Sequence, residues 1–483
     1  MDLKLPGGHT RSLDTLPGPK GLPVVGNLLQ LDMKGQRMHQ VLEAWSLAFG
    51  SLYRLTLMNR RVLVVSDAEL IHRVLRDRPQ AYRRLSAIEQ VAEEVGVNGV
   101  FSAEGEPWRR QRRPVVQALD ARHLRGFFPT LVDVTTRLQR RWARAAAQQQ
   151  AVDVLTDLMR YTVDVTTTLA FGYDMNTLER EGEVIQQHLQ RVLPTINRRI
   201  EAPFPYWRYF RLPADRSFDR AVAAIRQTIN EFIADARRRL AASPALAANP
   251  TNFLEAMLVA QTDGDASLSD DELFANVFTM LIAGEDTTAS TIAWILHFLC
   301  EHPHVQRRIQ EEADTVLGDP GVLAEMRDAA RLVYIDAVAH ESMRLKPIAP
   351  VFYVEANHDT DVGDVRVPAG TPVLLLTRVA ALTDSFGADS LEFNPDRWLS
   401  GQPPSAQLRG GFVPFGSGPR LCPGRSLALL EMKAVISMVC RHFDVAALPG
   451  SAPVEEAFGF TMVPSGLRVR FTPREQRGAA PPL

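Results

Sequence analysis

A mainly α-helical protein with a small β-sheet lobe is the fold class this sequence predicts, on three observations. Segments 126–148, 152–171, 215–240, 270–300 and 323–345 carry apolar residues three and four apart, the spacing of one helix face. Beyond Pro347 the text changes to VFYVEA, VRVPAG and TPVLLL, short β-branched runs punctuated by Pro and Gly that read as strands. No internal repeat and no long polar linker divides the 483 residues, so one domain over 1–483 is expected.

The elements follow in order. Leu16–Asn27, LPGPKGLPVVGN, is too rich in Pro and Gly for a helix and reads as an extended opening segment over 16–27. Leu52–Leu57 and Arg61–Val65 flank Met58-Asn59-Arg60 and predict a β-hairpin. The helical text then runs to about Leu345. A final helix is expected over Arg425–Arg441, and 476–483 reads as a disordered tail.

Composition excludes several classes. With 46% hydrophobic and 23% charged residues the chain is not disordered. Lys and Arg number 54 against 56 Asp and Glu, and a net charge of −2 argues against a nucleic-acid partner. Three cysteines, Cys300, Cys422 and Cys440, make no disulfide framework and suit a reducing compartment. Residues 1–15 hold no apolar core for a signal peptide. No run approaches the ~20 apolar residues of a membrane span. The nearest, Phe274 to Cys300, is broken by Glu285-Asp286, so a cytoplasmic protein without a transmembrane anchor is expected.

Two segments carry chemistry. Around Cys422, Gly416, Gly418 and Gly424 permit tight turns and close approach to a flat ligand. Unpaired backbone N–H groups in such a loop, and the start of the following helix, favour a thiolate. Taken alone, Cys422 reads equally as a buried turn cysteine. Ala283-Gly284-Glu285-Asp286-Thr287-Thr288 interrupts the expected central helix 270–300 with a glycine, two acids and two threonines, poor helix material of the kind tolerated at functional sites. A solvated polar face is the plainer reading.

The loop 415–424, FGSGPRLCPG, resembles the haem-binding signature of the cytochrome P450 family, Phe-x-x-Gly-x-Arg-x-Cys-x-Gly, at every fixed position, and Ala428 and Glu431 continue it. That resemblance implies the cytochrome P450 fold and haem b (iron protoporphyrin IX), with Cys422 as its thiolate ligand. Phe415 and Gly416 would belong to the haem loop and Arg420 would serve a propionate. Cys300 and Cys440 have no such surroundings and read as core. The central segment resembles the family's oxygen-activation motif. It implies room for dioxygen at Ala283 and Gly284, a hydrogen bond to activated oxygen from Thr287, and proton relay from water by Asp286. Glu285 sits in the variable slot and receives no role.

Further matches support the resemblance. Glu341-x-x-Arg344 with Arg397 is similar to the family's buried structural triad, and Trp108-x-x-x-Arg112 to the helix that approaches a propionate. Arg109, Arg110 and Arg113 are left for solvent or an acidic electron donor. The arginine or histidine that often follows the triad helix is not matched, since VFYVEANHD offers Glu355 and His358, and Arg378 is the expected substitute. By analogy the substrate pocket is lined by Ile88, Val95, Val100 and Phe101, by Phe278 and Ile282, by Ala349, Val351 and Phe352, and by the Phe460–Met462 hairpin. Each of these also reads as core. The aromatic stretch 204–210 reads as a lid, a shallow membrane contact or local packing.

The activity implied is monooxygenation, with one atom of O2 inserted into a hydrophobic small molecule by hydroxylation or epoxidation. No length is left for a fused flavin or ferredoxin domain, so NAD(P)H is expected to act through a separate ferredoxin or flavodoxin with its reductase. A peroxide-using or isomerising haem-thiolate enzyme and a non-catalytic haem sensor are the alternatives. The intact Asp286-Thr287 pair weighs against both.

Overall fold

The computed structural model describes residues 10–31, 37–180, 192, 194–200, 202, 204–262, 268–319, 321–382, 389–399 and 411–474. The expected tail 476–483 lies outside them. At the centre stands one 32-residue helix, Asp270–Glu301. Its start is set by a capping box: the Ser269 hydroxyl accepts from the Glu272 amide at 3.1 Å, and the Glu272 carboxylate accepts from the Ser269 amide at 2.9 Å. The helix packs against Val154–Phe171 and is flanked by Val333–Leu345 and the final helix Arg425–His442. Leu281, Ile292, Ile295 and Leu299, each 0–1% exposed, put its apolar stripe into the main core.

Three helix boundaries differ from expectation. The helix expected from 126 begins at Ala121, because the Asp120 carboxylate caps it by accepting from the amides of Arg122 and His123. The one expected from 323 begins at Val333, because Met326–Arg331 forms a tighter 3₁₀ turn that ends at Leu332 with ψ of 70°. The third, expected from 152, starts at Val154, since Val152–Asp153 pairs as a strand with Arg468–Pro473.

The sheet lobe is a five-stranded sheet in the order Leu52–Leu57, Arg60–Val65, Pro372–Leu376, Val351–Ala356, Tyr82–Arg84. Its two central strands bury both faces. Leu63, Val65, Val373 and Leu375 enter one apolar cluster, while Val62, Val64, Leu374 and Leu376 enter another. Period-two alternation sends successive side chains to opposite faces, and the unbroken apolar runs Val62–Val65 and Val373–Leu376 are the consequence of burying both. After the final helix come Phe443–Ala447, which pairs with Arg468–Pro473, and the hairpin Glu455–Phe458/Met462–Ser465. Met462 is wholly buried, its amide on the Ile348 carbonyl and its own carbonyl on the Trp294 indole of the central helix.

The buried triad is in place. Glu341 and Arg344, both 0% exposed, pair through two 2.8 Å bonds, and Arg397 Nε, Trp398 Nε1 and the Asn394 amide each donate to the same carboxylate at 2.9 Å. Arg344 also donates to the carbonyls of Ala381, Ser390 and Glu392. Every charge is answered, as burial at this depth requires.

Candidate active site

The cysteine loop is shaped by its glycines. Gly418 lies at φ +67°, and a Cβ there would come within 2.8 Å of the Arg76 backbone, so only glycine fits. Gly416, at φ +75°, faces the Phe352 ring, 3.8 Å from where its Cβ would stand. The Cys422 amide donates to the Phe415 carbonyl at 2.9 Å and closes the loop. The amides of Gly424 and Arg425 donate to the sulfur, and the Arg112 guanidinium lies beside it. The thiol is surface-accessible but ringed by protein. Burial raises its pKa, and the two amides and Arg112 oppose the rise. Arg112 also donates to the Leu421 carbonyl. Phe415 is half-buried against the helical core. Cys300 and Cys440 are remote thiols raised by burial, Cys300 to about 12.

Next to the loop is a nest of cations. The Arg420 guanidinium stacks 4.1 Å from the Trp108 ring centroid, ion-pairs with Glu104, and donates to the Ala103 carbonyl. Arg78 Nη2 lies 3.8 Å from the same Glu104 carboxylate, which also accepts from the Arg84 amide at 2.9 Å. Arg84 itself is half-buried, its guanidinium 3.9 Å from the centroid of Phe101. Around this one carboxylate stand Arg78, Arg84 and Arg420, with Arg112 acting on Arg420. Arg420 is pushed down to about 10, by burial and then by Arg78 and Arg112 against the pull of Glu104. Arg84 is lowered further by burial, Arg78 and Arg420. Buried and without a hydrogen-bond partner here are Trp108 Nε1, Arg420 Nε and Nη1, Arg84 Nε, and Arg78 Nε and Nη2, the last only ion-paired with Glu104. Orphaned donors on like-charged groups are costly, and two carboxylates are the complement such a nest lacks. The residues present therefore fit the paired propionates of a haem.

The structure corrects the expectation for Arg378. It is held bidentately by Glu43 and also binds Glu456, and shares no partner with the arginines around Glu104 among the described residues. Glu355 accepts from Ser86, and His358 is exposed. Arg84 and Arg78, not Arg378, stand beside Glu104 in the nest. In sequence both lie in an unremarkable arginine-rich stretch; the edge strand Tyr82–Arg84 brings Arg84 to Glu104, and Arg78 meets it from the turn before that strand. Arg110, expected to stay free, is bound to Glu272, whereas Arg109 and Arg113 are exposed.

On the central helix, positions 279, 280, 283, 284, 286 and 287 are the incompletely buried ones in an otherwise buried stretch from 273 to 296. They recur every three to four residues and form one open stripe two turns long. Thr287 Oγ1 donates to the Ala283 carbonyl at 2.7 Å. Asp286 accepts from Thr461 Oγ1 at 2.9 Å, and burial raises its pKa against that bond. Ala283 and Gly284 both lie on the open stripe, and at Gly284 a Cβ would stand 2.4 Å from Thr166 Cγ2 of the neighbouring helix. Its smallness serves helix packing. Glu285 points into the protein, 4% exposed, and burial with its neighbour Asp286 pushes it up to about 8.

The expected substrate residues divide. Phe278, 1% exposed and 5.9 Å from Phe274, is core, as is Val351 within the sheet cluster. Val100 is buried with its amide on Asn276, and Ile88 and Ile282 are 8–9% exposed. Phe101 meets Phe460 at 5.8 Å, which joins the 85–101 segment to the C-terminal hairpin. Val95, Ala349 and Phe352 are half-buried. In the aromatic stretch Trp207 is buried and donates to Glu94 at 2.6 Å, while Phe204, Tyr209 and Phe210 are exposed. Thr461 was missed; its pairing with Asp286 has no signature in sequence.

Comparison with known proteins bears on the same residues. The Protein LUTEIN DEFICIENT 5, chloroplastic, of Arabidopsis thaliana is 28% identical over 442 residues, 89% of this chain and 73% of its own. Self-sufficient cytochrome P450 monooxygenase CYP505E3 of Phanerodontia chrysosporium is 30% identical over 477 residues, 95% of this chain and 43% of its own. A bifunctional cytochrome P450/NADPH–P450 reductase of Gibberella moniliformis is 29% identical over 448 residues, 90% and 38%. This chain thus spans less than half the length of those two relatives. Among the described residues no helix is long and apolar enough to cross a membrane. The profile of the family Cytochrome P450 matches residues 16–471, nearly the whole fold described above, and the chain belongs to the cytochrome P450 family of haem-dependent monooxygenases.

Proposed function

We propose that this chain oxidises a hydrophobic small molecule by hydroxylation or epoxidation, with haem b held between the cysteine loop and the central helix. The observation that carries the reading is Cys422, with two amides on its sulfur, beside a nest of buried guanidiniums whose donors lack partners. Cys422 would hold the iron. Trp108, Arg78, Arg84, Arg112 and Arg420 would hold the propionates. When bound, haem supplies the binding and reductive activation of dioxygen.

The chain's own residues do the rest. Thr287, tethered at 2.7 Å to the Ala283 carbonyl, keeps its hydroxyl oxygen at a fixed place on the open stripe and orders the hydrogen bonds there. Asp286 is held through Oδ2 by Thr461, which leaves Oδ1 to take a proton from water and release it toward Thr287. Burial helps, since a carboxyl with a raised pKa holds a proton nearer neutrality, where a general acid is most effective. Apolar side chains such as Ile282 and Phe101 favour an apolar ligand over water.

Electrons enter, in this reading, at the face bearing exposed Arg109 and Arg113, which suits an acidic donor. A separate ferredoxin or flavodoxin with its NAD(P)H-dependent reductase is proposed, in contrast with the fused reductase of the bifunctional relative. A reducing, cytoplasmic setting accords with three unpaired cysteines.

The test is the carbon monoxide difference spectrum of the dithionite-reduced protein. A strongly red-shifted Soret band, lost in Cys422→Ser, is expected. A histidine-type band, or no haem, overturns the reading.

A further inference from the structure

The C-terminal hairpin reaches the central helix at one polar contact, Thr461 Oγ1 to Asp286 Oδ2 at 2.9 Å. Among the described residues this is the only hydrogen bond the Asp286 side chain makes. Thr461 is 5% exposed, and its position is fixed on both sides. The next residue, Met462, is tied by backbone bonds to Ile348 and to Trp294 of the same central helix. The preceding residue, Phe460, lies against Phe101. Further back, Glu456 roots the hairpin through His39 at 2.8 Å, Arg378 at 2.6 Å and Lys346. The hydroxyl is therefore delivered by a rigid element, with little freedom to follow a moving carboxylate.

We propose that Thr461 is a positioning residue for proton delivery: it fixes the Asp286 carboxylate so that Oδ1, and not Oδ2, exchanges protons along the open stripe. The inference rests on the reading of Asp286 as the relay. Chemically the step is balanced. A proton passes from water to Oδ1 and onward from the same atom, while the hydroxyl hydrogen stays on Oγ1 throughout. Thr461 neither gains nor loses a proton. Without it, the half-buried carboxylate has two equivalent oxygens and a free torsion, and the fraction of time spent in the productive orientation falls.

The experiment compares Thr461→Val, Thr461→Ser and Asp286→Asn in the haem-loaded enzyme, with a surrogate electron donor and a substrate that shifts the spin state. Three quantities are read: the solvent deuterium isotope effect on kcat, the peroxide released per reductant oxidised, and the substrate Kd from the spin-state shift. Thr461→Val is expected to lower kcat roughly tenfold, raise the isotope effect and release more peroxide, with Kd and the carbon monoxide spectrum unchanged. Thr461→Ser, which restores the hydroxyl without the methyl, is expected to return all three toward wild type. An effect of Asp286→Asn with none from Thr461→Val overturns the positioning role alone. Failure of serine to rescue assigns the effect to shape and also overturns it. No effect from Asp286→Asn overturns the relay beneath it.

Discussion

The guanidinium of Arg420 lies 4.1 Å over the ring of Trp108, yet Nε1 of that indole and two nitrogens of that guanidinium are buried without partners. Each group thus leaves donors unspent while its apolar or aromatic surface is satisfied. Glu104 answers one arginine's worth of charge, and Arg78, Arg84 and Arg112 add more of the same sign. A pair of ligand carboxylates would remove the imbalance, which is why the nest is the proposed seat of the haem propionates.

Arg84→Leu is expected to weaken haem retention without abolishing it, because Arg78, Arg420 and Trp108 keep their donors. Loss of a charge-assisted bond predicts roughly a tenfold faster haem loss. Transfer of haem to an excess of an apo-globin acceptor measures it. Arg378→Leu should leave that rate unchanged, since Arg378 is engaged by Glu43 and Glu456. Equal rates for wild type and Arg84→Leu would remove Arg84 from the site.

Gly284→Ala should destabilise the protein by about 1–3 kcal/mol, because the new methyl meets Thr166 Cγ2 at 2.4 Å. Thr166→Ala removes that Cγ2, so the double variant is expected to recover most of the loss. A double-mutant cycle in urea reads the coupling directly. Additive losses would mean the two helices do not meet there.

Glu341→Gln takes the carboxylate from Arg344, 0% exposed, and leaves Arg397 to Asp389. The expected loss is about 3–5 kcal/mol, the range for stranding one half of a buried pair. A fall in the urea midpoint of that size, with low holoprotein yield, is the predicted result. An unchanged midpoint would count against a fully desolvated triad.

Glu285 gives the pH prediction. Its carboxyl is raised from 4.5 to about 8 in the folded chain. Below pH 4.5 it is neutral in both states and costs nothing. Between 4.5 and 8 the unfolded chain ionises and the folded one does not, so stability falls as pH rises, and above 8 the penalty is constant. Glu285→Gln should therefore stabilise by about 4 kcal/mol at pH 8 and by less than about 1 kcal/mol near pH 5. Unfolding at the two pH values tests the difference; the same gain at both would show that ionisation is not the cause.

How far the sequence alone reaches is clear from particular residues. The loop 415–424 and the stretch 283–288 are legible because their chemistry is local: turns that demand glycine, a cysteine at a helix start, and polar residues where a helix disfavours them. The hairpin at 52–65 and the strands after Pro347 are legible for the same reason, since alternation and breakers lie next to one another. Glu341, Arg344 and Arg397 were placed only through their match to a known pattern, because a pair three apart on a helix says nothing of burial.

The rest is a matter of which distant segments meet. Arg84 and Arg420 are 336 positions apart and share Glu104. Arg378 looked available until Glu43 and Glu456 claimed it, and Gly284 looked like space for a ligand until Thr166 filled that side. Thr461 reaches Asp286 across 175 positions. A charge or a missing Cβ has no meaning until its neighbour is known. The chain determines by itself which chemistry is present, and only packing decides which groups are spent on one another and which remain for the ligand.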